Sequence, residues 1–282
     1  MALFSDILLT ADFDLTLTDQ NGRVPARNLE AIRYFMDNGG AFTVNTGRSL
    51  PQSRLILEQI PMNAPFLCYN GSLAAENGQV ILAHTIDLPL EQTLREVCEA
   101  FPDLNVDLHG MSAHFGFQPV GCWEEYYAAR GIEYHLAQSG MDFGPFLKFN
   151  VYGALHDDTF YQVFSGTAQE MARIDEAKAW LQAKYGDKIV VYRAGAKVLN
   201  VHSAETSKIR TARELQAKLG RKILVCVGDA ENDLTMLEGA DYAFCPSDGA
   251  VAHLFPNVCP CGDGAVADVI YKKIPAILEN RA

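Results

Sequence analysis

The feature that most constrains this chain is a strand-length apolar run, Ile7-Leu8-Leu9-Thr10-Ala11, that ends on two carboxylates, Asp12 and Asp14. A run of that length without polar alternation fits a strand buried on both faces, as in a parallel sheet covered by helices. Such a strand presents polar side chains only where it ends, and open α/β sheets bind ligands in the crevice beyond the carboxyl ends of their strands. Two carboxylates brought together there repel, and a divalent cation held by oxygen ligands is the usual compensation. A nucleophile, an acid and a metal at one strand end suit phosphoryl transfer.

The rest of the chain repeats the theme. Pro25 to Asn38 reads as a helix: Leu29, Ile32, Phe35 and Met36 share a face, Pro25 suits the first turn, and Gly39-Gly40 ends it. Ala41–Val44 reads as a second strand, ending at Asn45-Thr46-Gly47-Arg48, then a helix over 50–59 and a third strand, Pro65–Tyr69, broken by Asn70-Gly71. This order predicts a doubly wound parallel sheet. Near residue 80 the pattern changes to short strands, aromatics and helices, the signature of an inserted α+β unit. The α/β pattern resumes with a helix over Ser207–Leu219, a strand Ile223–Val227 ending at Gly228-Asp229, a helix from Asn232, a strand over Ala240–Cys245 and a closing helix from Gly264. The expected fold is therefore α/β: a Rossmann-like, doubly wound parallel core of residues 1–83 and 194–282, interrupted by an α+β domain over 84–193. The hinges are expected near 82–86 and 192–198.

Composition narrows the partners. The chain has 23 Lys+Arg against 35 Asp+Glu, a formal net charge of −12, and no basic run, which argues against nucleic acid. The seven cysteines are odd in number and lie mostly in apolar stretches, which suits reduced thiols in a cytosol. Cys259-Pro-Cys261 lacks the second pair that a zinc site needs. Neither a secretory signal nor a membrane-length apolar run is present, so a soluble, cytoplasmic protein with no membrane partner is expected. A calcium-binding EF-hand starting at Asp12 is excluded, because Leu17 stands where that loop needs glycine and Arg23 where it needs glutamate.

Four short segments together resemble the motifs of the haloacid dehalogenase superfamily. Asp12-Phe13-Asp14-Leu15-Thr16 is similar to its first motif, Thr46-Gly47-Arg48 to its second, Ser207-Lys208 to its third, and Gly228-Asp229-Ala230-Glu231-Asn232-Asp233 to its fourth. Tyr69-Asn70-Gly71 resembles a step common in the Cof-type (IIB) branch. Leu15 stands where many relatives carry glycine. The resemblance implies a Mg²⁺-dependent phosphatase acting on a small phosphorylated metabolite, a sugar phosphate being the implied class, with sucrose-phosphatase and mannosyl-3-phosphoglycerate phosphatase relatives both open.

It also implies roles. Asp12 is the expected nucleophile and forms an aspartyl phosphate; Asp14 is the expected acid and base. Asp12, Asp229 and Asp233 are the expected metal group, joined by Asp14 through its backbone carbonyl. Thr46, Gly47, Lys208 and Asn232 are the expected phosphate binders, Asn232 alternatively capping its helix. The second carboxylate, Asp14, favours ester hydrolysis over dehalogenation. A phosphomutase and a non-catalytic phosphate- or metal-binding relative are the alternatives, and a monomer or homodimer is expected.

The long stretch between Arg48 and Lys208 places the insert where the resemblance puts a C2-type cap that reads the leaving group. His109, His114, Trp123, Arg130 and Lys148 are its candidate substrate contacts, although histidines and aromatics at such positions commonly serve packing. Arg48 is expected to form a structural ion pair.

Overall fold

A computed structural model describes residues 2–118, 121–153 and 165–281. The chain forms two compact units: Met1–Arg48, Leu55–Leu82 and Ser207–Ala282 in the first, Ser49–Arg54 and Ala83–Thr206 in the second. In chain order the strands are β1 (Ile7–Ala11), β2 (Ala41–Val44), β3 (Phe66–Cys68), β4 (Leu73–Glu76) and β5 (Gln79–Ala83). They continue with β6 (Asn105–Gly110), β7 (Ala113–Gly116), β8 (Glu133–Leu136), β9 (Phe146–Tyr152), β10 (Ile189–Gly195) and β11 (Val198–Ser203). The chain then returns to the first unit with β12 (Ile223–Val227), β13 (Tyr242–Pro246) and β14 (Asn257–Val258).

The first unit is built on a five-stranded sheet of order β14-β13-β12-β1-β2 whose neighbours all run parallel. Every residue of β1 and β12 is buried, as their sequences, apolar except for Thr10, require. One face packs Leu8, Leu224 and Cys226 against Ala212, Leu215, Met236 and Leu237 from the helices Lys208–Lys218 and Leu234–Glu238. The helix Ala26–Asp37 packs on β2 and on the helix Ala265–Asp268, burying Ala31, Ile32 and Phe35. Asn28 ties this layer together, donating to the Leu17 carbonyl at 3.0 Å and accepting from the Ala267 N–H at 2.9 Å. An isolated parallel bridge, Asn45 to Leu67, and the sheet β3-β4-β5 complete the unit.

Register decides where the chemistry sits. Ala11 pairs with both Val44 and Val227, so β1, β2 and β12 end in one row. The ladder runs one step further: the Asp12 N–H donates to the Val227 carbonyl and the Asn45 N–H to the Ala11 carbonyl, both at 2.9 Å. The residues just past that row are Asp12, Asn45-Thr46 and Gly228-Asp229.

The second unit holds a six-stranded sheet, β10-β11-β9-β6-β7-β8, antiparallel except between β7 and β8. Its apolar face packs on the helices Leu90–Ala100 and Ala168–Tyr185 through Leu94, Val97, Leu108, Phe149, Val151, Ile174, Leu181, Leu199 and Val201. The second of these helices begins with a full capping box between Thr167 and Glu170.

Three sequence expectations change. The boundary expected at residue 193 moves to 206, because β11 pairs on both edges, with β9 and β10, and so belongs to the second unit's sheet. The helix expected over 50–59 divides into a 3-10 turn, Pro51–Ser53, and a helix, Arg54–Gln59. The third strand stops at Cys68, because Tyr69–Gly71 curl into a 3-10 turn with positive φ.

Candidate active site

Asp12 leaves β1 into a tight loop. The Leu17 and Thr18 N–H groups both donate to the Phe13 carbonyl at 3.0 Å, and the Leu15 N–H to the Thr18 hydroxyl at 3.1 Å. Leu15 turns the corner at φ 57°, a left-handed conformation that costs a leucine about 1 kcal/mol and a glycine nothing. The loop brings the fully buried Thr16 hydroxyl onto Asp229 Oδ1, donating at 2.7 Å.

Lys208, the first residue of its helix, is 1% exposed, and its ammonium donates to Asp12 Oδ1 and to Asp233 Oδ1, both at 2.6 Å. The other Asp233 oxygen accepts from the Asp229 and Ala230 N–H groups at 3.0 and 3.1 Å, which caps the turn Glu231–Asp233. Asp233 therefore performs the capping expected as an alternative for Asn232. The packing there is close: a Cβ on Gly228 would lie 2.6 Å from Asp233 Cβ.

Carboxylate oxygens of Asp12, Asp229 and Asp233 lie within 4.8 Å of one another, and all three residues are buried. Three carboxylates against one ammonium leave the pocket short of positive charge. Burial first, then repulsion from Asp233 and Asp14 against the pull of Lys208, pushes the Asp12 carboxyl up to about 7. Burial, Asp233 and Asp12 push Asp229 up to about 8, against the Thr16 hydrogen bond. Burial opposes the charge on Lys208, but its two carboxylate partners overcome that and hold the ammonium above its ordinary range. An all-oxygen donor set carrying excess negative charge fits a hard divalent cation.

Asp14 stands apart from this trio. Its half-exposed carboxylate is held by Arg48 in a fork, Nε to Oδ2 at 2.9 Å and Nη2 to Oδ1 at 2.6 Å, with the guanidinium 4.9 Å from the Phe13 ring centre. Arg48 thus forms the ion pair its sequence position suggested, with a partner the sequence did not reveal. Thr46 is buried, and its hydroxyl oxygen accepts from the Arg48 N–H at 3.2 Å. Asn232 donates its amide to Asn70 Oδ1 at 3.1 Å, and Asn45 donates to the Lys208 carbonyl at 3.0 Å.

In the second unit, His109, His114 and Lys148 are buried in one polar layer with Asp107, Asn150, Asn200 and His202. The register aligns Asp107, Asn150 and Asn200 in one row and His109, Lys148 and His202 in the next. Asn150 donates to Asp107 Oδ1 at 2.7 Å, Asn200 donates to Asn150 Oδ1 at 2.8 Å, and the Tyr127 hydroxyl donates to Asp107 Oδ2 at 3.2 Å. His109 and His114 stack with ring centres 3.8 Å apart, and His114 Nε2 meets the Ser49 hydroxyl at 2.8 Å. Burial, reinforced by Lys148 nearby, holds His109, His114 and His202 well below the usual imidazole range. Trp123 packs with Tyr127, Ile132 and Tyr152, and Arg130 lies over the Tyr126 ring. Asp107, Asn150 and His202 escaped the sequence reading. The signal was the strict polar alternation in Asp107-Leu108-His109 and Asn200-Val201-His202.

A family model for haloacid dehalogenase-like hydrolases matches residues 9–251. The chain belongs to that hydrolase family. Among curated proteins it is 21% identical over 249 residues to the 5-amino-6-(5-phospho-D-ribitylamino)uracil phosphatase YwtE of Bacillus subtilis, covering 83% of this chain and 85% of that one. Among solved structures, a haloacid dehalogenase-like hydrolase from Bacteroides thetaiotaomicron has a TM-score of 0.76 at 16% identity, over 94% of this chain and 98% of that one. The subclass IIB sugar phosphatase BT4131 has a TM-score of 0.73 at 16% identity, over 95% and 99%. Among the described residues no helix is long and apolar enough to cross a membrane.

Proposed function

We propose that this chain is a Mg²⁺-dependent phosphatase that hydrolyses a small phosphorylated metabolite, of the sugar-phosphate or phosphorylated-polyol class, through an aspartyl phosphate on Asp12. The observation that carries the reading is the buried Asp12 carboxylate, paired to Lys208 at 2.6 Å and grouped with Asp229 and Asp233. Relatives named as a ribitylaminouracil phosphatase and a sugar phosphatase support the substrate class.

An Asp12 oxygen attacks phosphorus, and the bond from phosphorus to the ester oxygen breaks. Asp14 gives its proton to that leaving oxygen. It then takes a proton from the water that attacks the aspartyl phosphate, and phosphate leaves as Asp12 is restored. Asp14 must free at least one oxygen from Arg48 to do so, since both are engaged in the fork. The Thr46 hydroxyl, the Gly47 backbone, the Lys208 ammonium and the Asn232 amide hold the phosphoryl oxygens. Asp12, Asp229 and the Asp14 carbonyl would hold Mg²⁺, with Asp233 supporting them; the ion supplies positive charge to the phosphoryl group. Lys208 offsets the repulsion between an anionic substrate and the carboxylates. The second unit acts as the cap that reads the leaving group.

The test is Asp12→Asn assayed for phosphate release on a panel of sugar phosphates with magnesium and with EDTA. Loss of at least about 10³-fold is expected from a variant that still melts cooperatively, since no other group replaces the attacking oxygen. Magnesium-dependent release retained by the variant removes Asp12 from the role.

A further inference from the structure

We propose that Asn70 is a positioning residue for phosphate binding, which fixes the Thr46–Arg48 loop and the Asn232 amide relative to one another; this rests on the phosphatase reading above.

The turn that carries Asn70 is strained and buried. Tyr69, Asn70 and Gly71 have φ of 52°, 54° and 88°, and the first two are 0% and 1% exposed. Consecutive non-glycine residues in the left-handed region persist only where the surroundings over-determine them. The surroundings are the motif segments themselves. The Tyr69 N–H donates to the Arg48 carbonyl at 2.9 Å, and the Asn70 N–H to the Thr46 carbonyl at 3.0 Å. The Gly71 carbonyl accepts from the Thr211 hydroxyl at 2.6 Å, and a Cβ on Gly71 would lie 2.6 Å from the Ser207 carbonyl oxygen. The side chain completes the set: Asn70 Oδ1 accepts from Asn232 Nδ2 at 3.1 Å and sits where a Cβ on Gly47 would come within 2.8 Å.

One buried amide therefore touches the loop after β2 and the turn after β12, while its neighbour Gly71 abuts the start of the Lys208 helix. Two of these segments supply phosphate-binding groups that no other side-chain contact on Asn232 ties together among the described residues. Glycine would adopt φ 54° without strain but would leave the Asn232 amide free to rotate. Asparagine tolerates the left-handed region better than most residues, so its backbone preference alone is a competing explanation. The two explanations separate on substitution.

The experiment titrates inorganic phosphate calorimetrically into wild type, Asn70→Gly, Asn232→Ala and the double variant, with magnesium chloride throughout and melting curves alongside. The expected results are an Asn70→Gly protein that melts within a few degrees of wild type and binds phosphate about tenfold more weakly, the scale of one hydrogen bond to a charged ligand. Asn232→Ala should lose about the same factor, and the double variant no more than either. In turnover the loss should appear in KM rather than kcat. Phosphate binding by Asn70→Gly equal to wild type, or losses that multiply in the double variant, would overturn the proposal. So would undiminished binding by Asn232→Ala, whose turn at 69–71 is intact, whatever the fate of the glycine variant. Wild type that binds no phosphate defeats the phosphatase reading and this inference together, which distinguishes that failure from the others.

Discussion

Lys208→Met tests the electrostatics of the pocket without adding a new charge. Methionine keeps most of the buried volume, so the change isolates the ammonium, which makes two 2.6 Å contacts with buried carboxylates. Removing one partner of a buried ion pair costs about 3–5 kcal/mol, because the other charge stays desolvated and unpaired. Asp12 can escape part of that cost by binding a proton: it already titrates at about 7 in the native protein against 3.8 for an ordinary aspartate. Without Lys208 its folded pKa rises further. A carboxyl whose folded pKa is raised binds more protons folded than unfolded, so its contribution to stability falls as pH rises from about 4 through that pKa. The variant should therefore be close to wild type at pH 5, lose about 3 kcal/mol near pH 7, and lose more at pH 8.5. At ~2–4 °C per kcal/mol, the pH 7 deficit is roughly 6–12 °C in Tm. Thermal melts of both proteins in EDTA at the three pH values measure it. Melting temperatures that stay together from pH 5 to 8.5 would refute the argument that Lys208 neutralises a desolvated carboxylate pair.

Two further outcomes follow from the same carboxylates. Magnesium must displace protons from Asp12 and Asp229, which titrate at about 7 and 8, so the rise in Tm caused by magnesium should be larger at pH 8 than at pH 6 and vanish with EDTA; equal rises at both pH values would contradict it. Thr16→Val removes the hydrogen bond that this loop donates to Asp229 and should cost about 1–2 kcal/mol of stability and about tenfold in magnesium affinity, measured by denaturant melts and by magnesium titration.

Much of this architecture was legible because buried parallel strands leave a plain trace. Ile7–Ala11 and Ile223–Val227 are apolar except for Thr10, and an aspartate follows each within two residues. The order of strand and helix then sufficed to set their ends side by side. What stayed hidden depends on geometry that residue types do not encode. No local pattern says that Tyr69 adopts a positive φ; its N–H is held by the Arg48 carbonyl, that of Asn70 by Thr46, and Gly71 beside them by Thr211. The Asp14–Arg48 fork joins residues 34 apart across two loops. The polar layer of the second unit was read only in part, because His109 and Lys148 face each other across β6 and β9 through a pairing that the sequence does not specify. The distal boundary was misplaced for a related reason: nothing in β11 says which sheet it joins until its two partners are known.

The alignment of β1 between β2 and β12 has a consequence for how the protein comes into being. Asp12 leaves the ribosome 196 residues ahead of Lys208, and Asp229 and Asp233 follow later still. During synthesis the first strand can pair on one side only, and the carboxylate at its tip has neither its ammonium nor its fellow oxygens. On the phosphatase reading proposed above, hydrolysis needs the chain through the β12 segment and the turn after it, and shortened products that lack them are expected to be inactive.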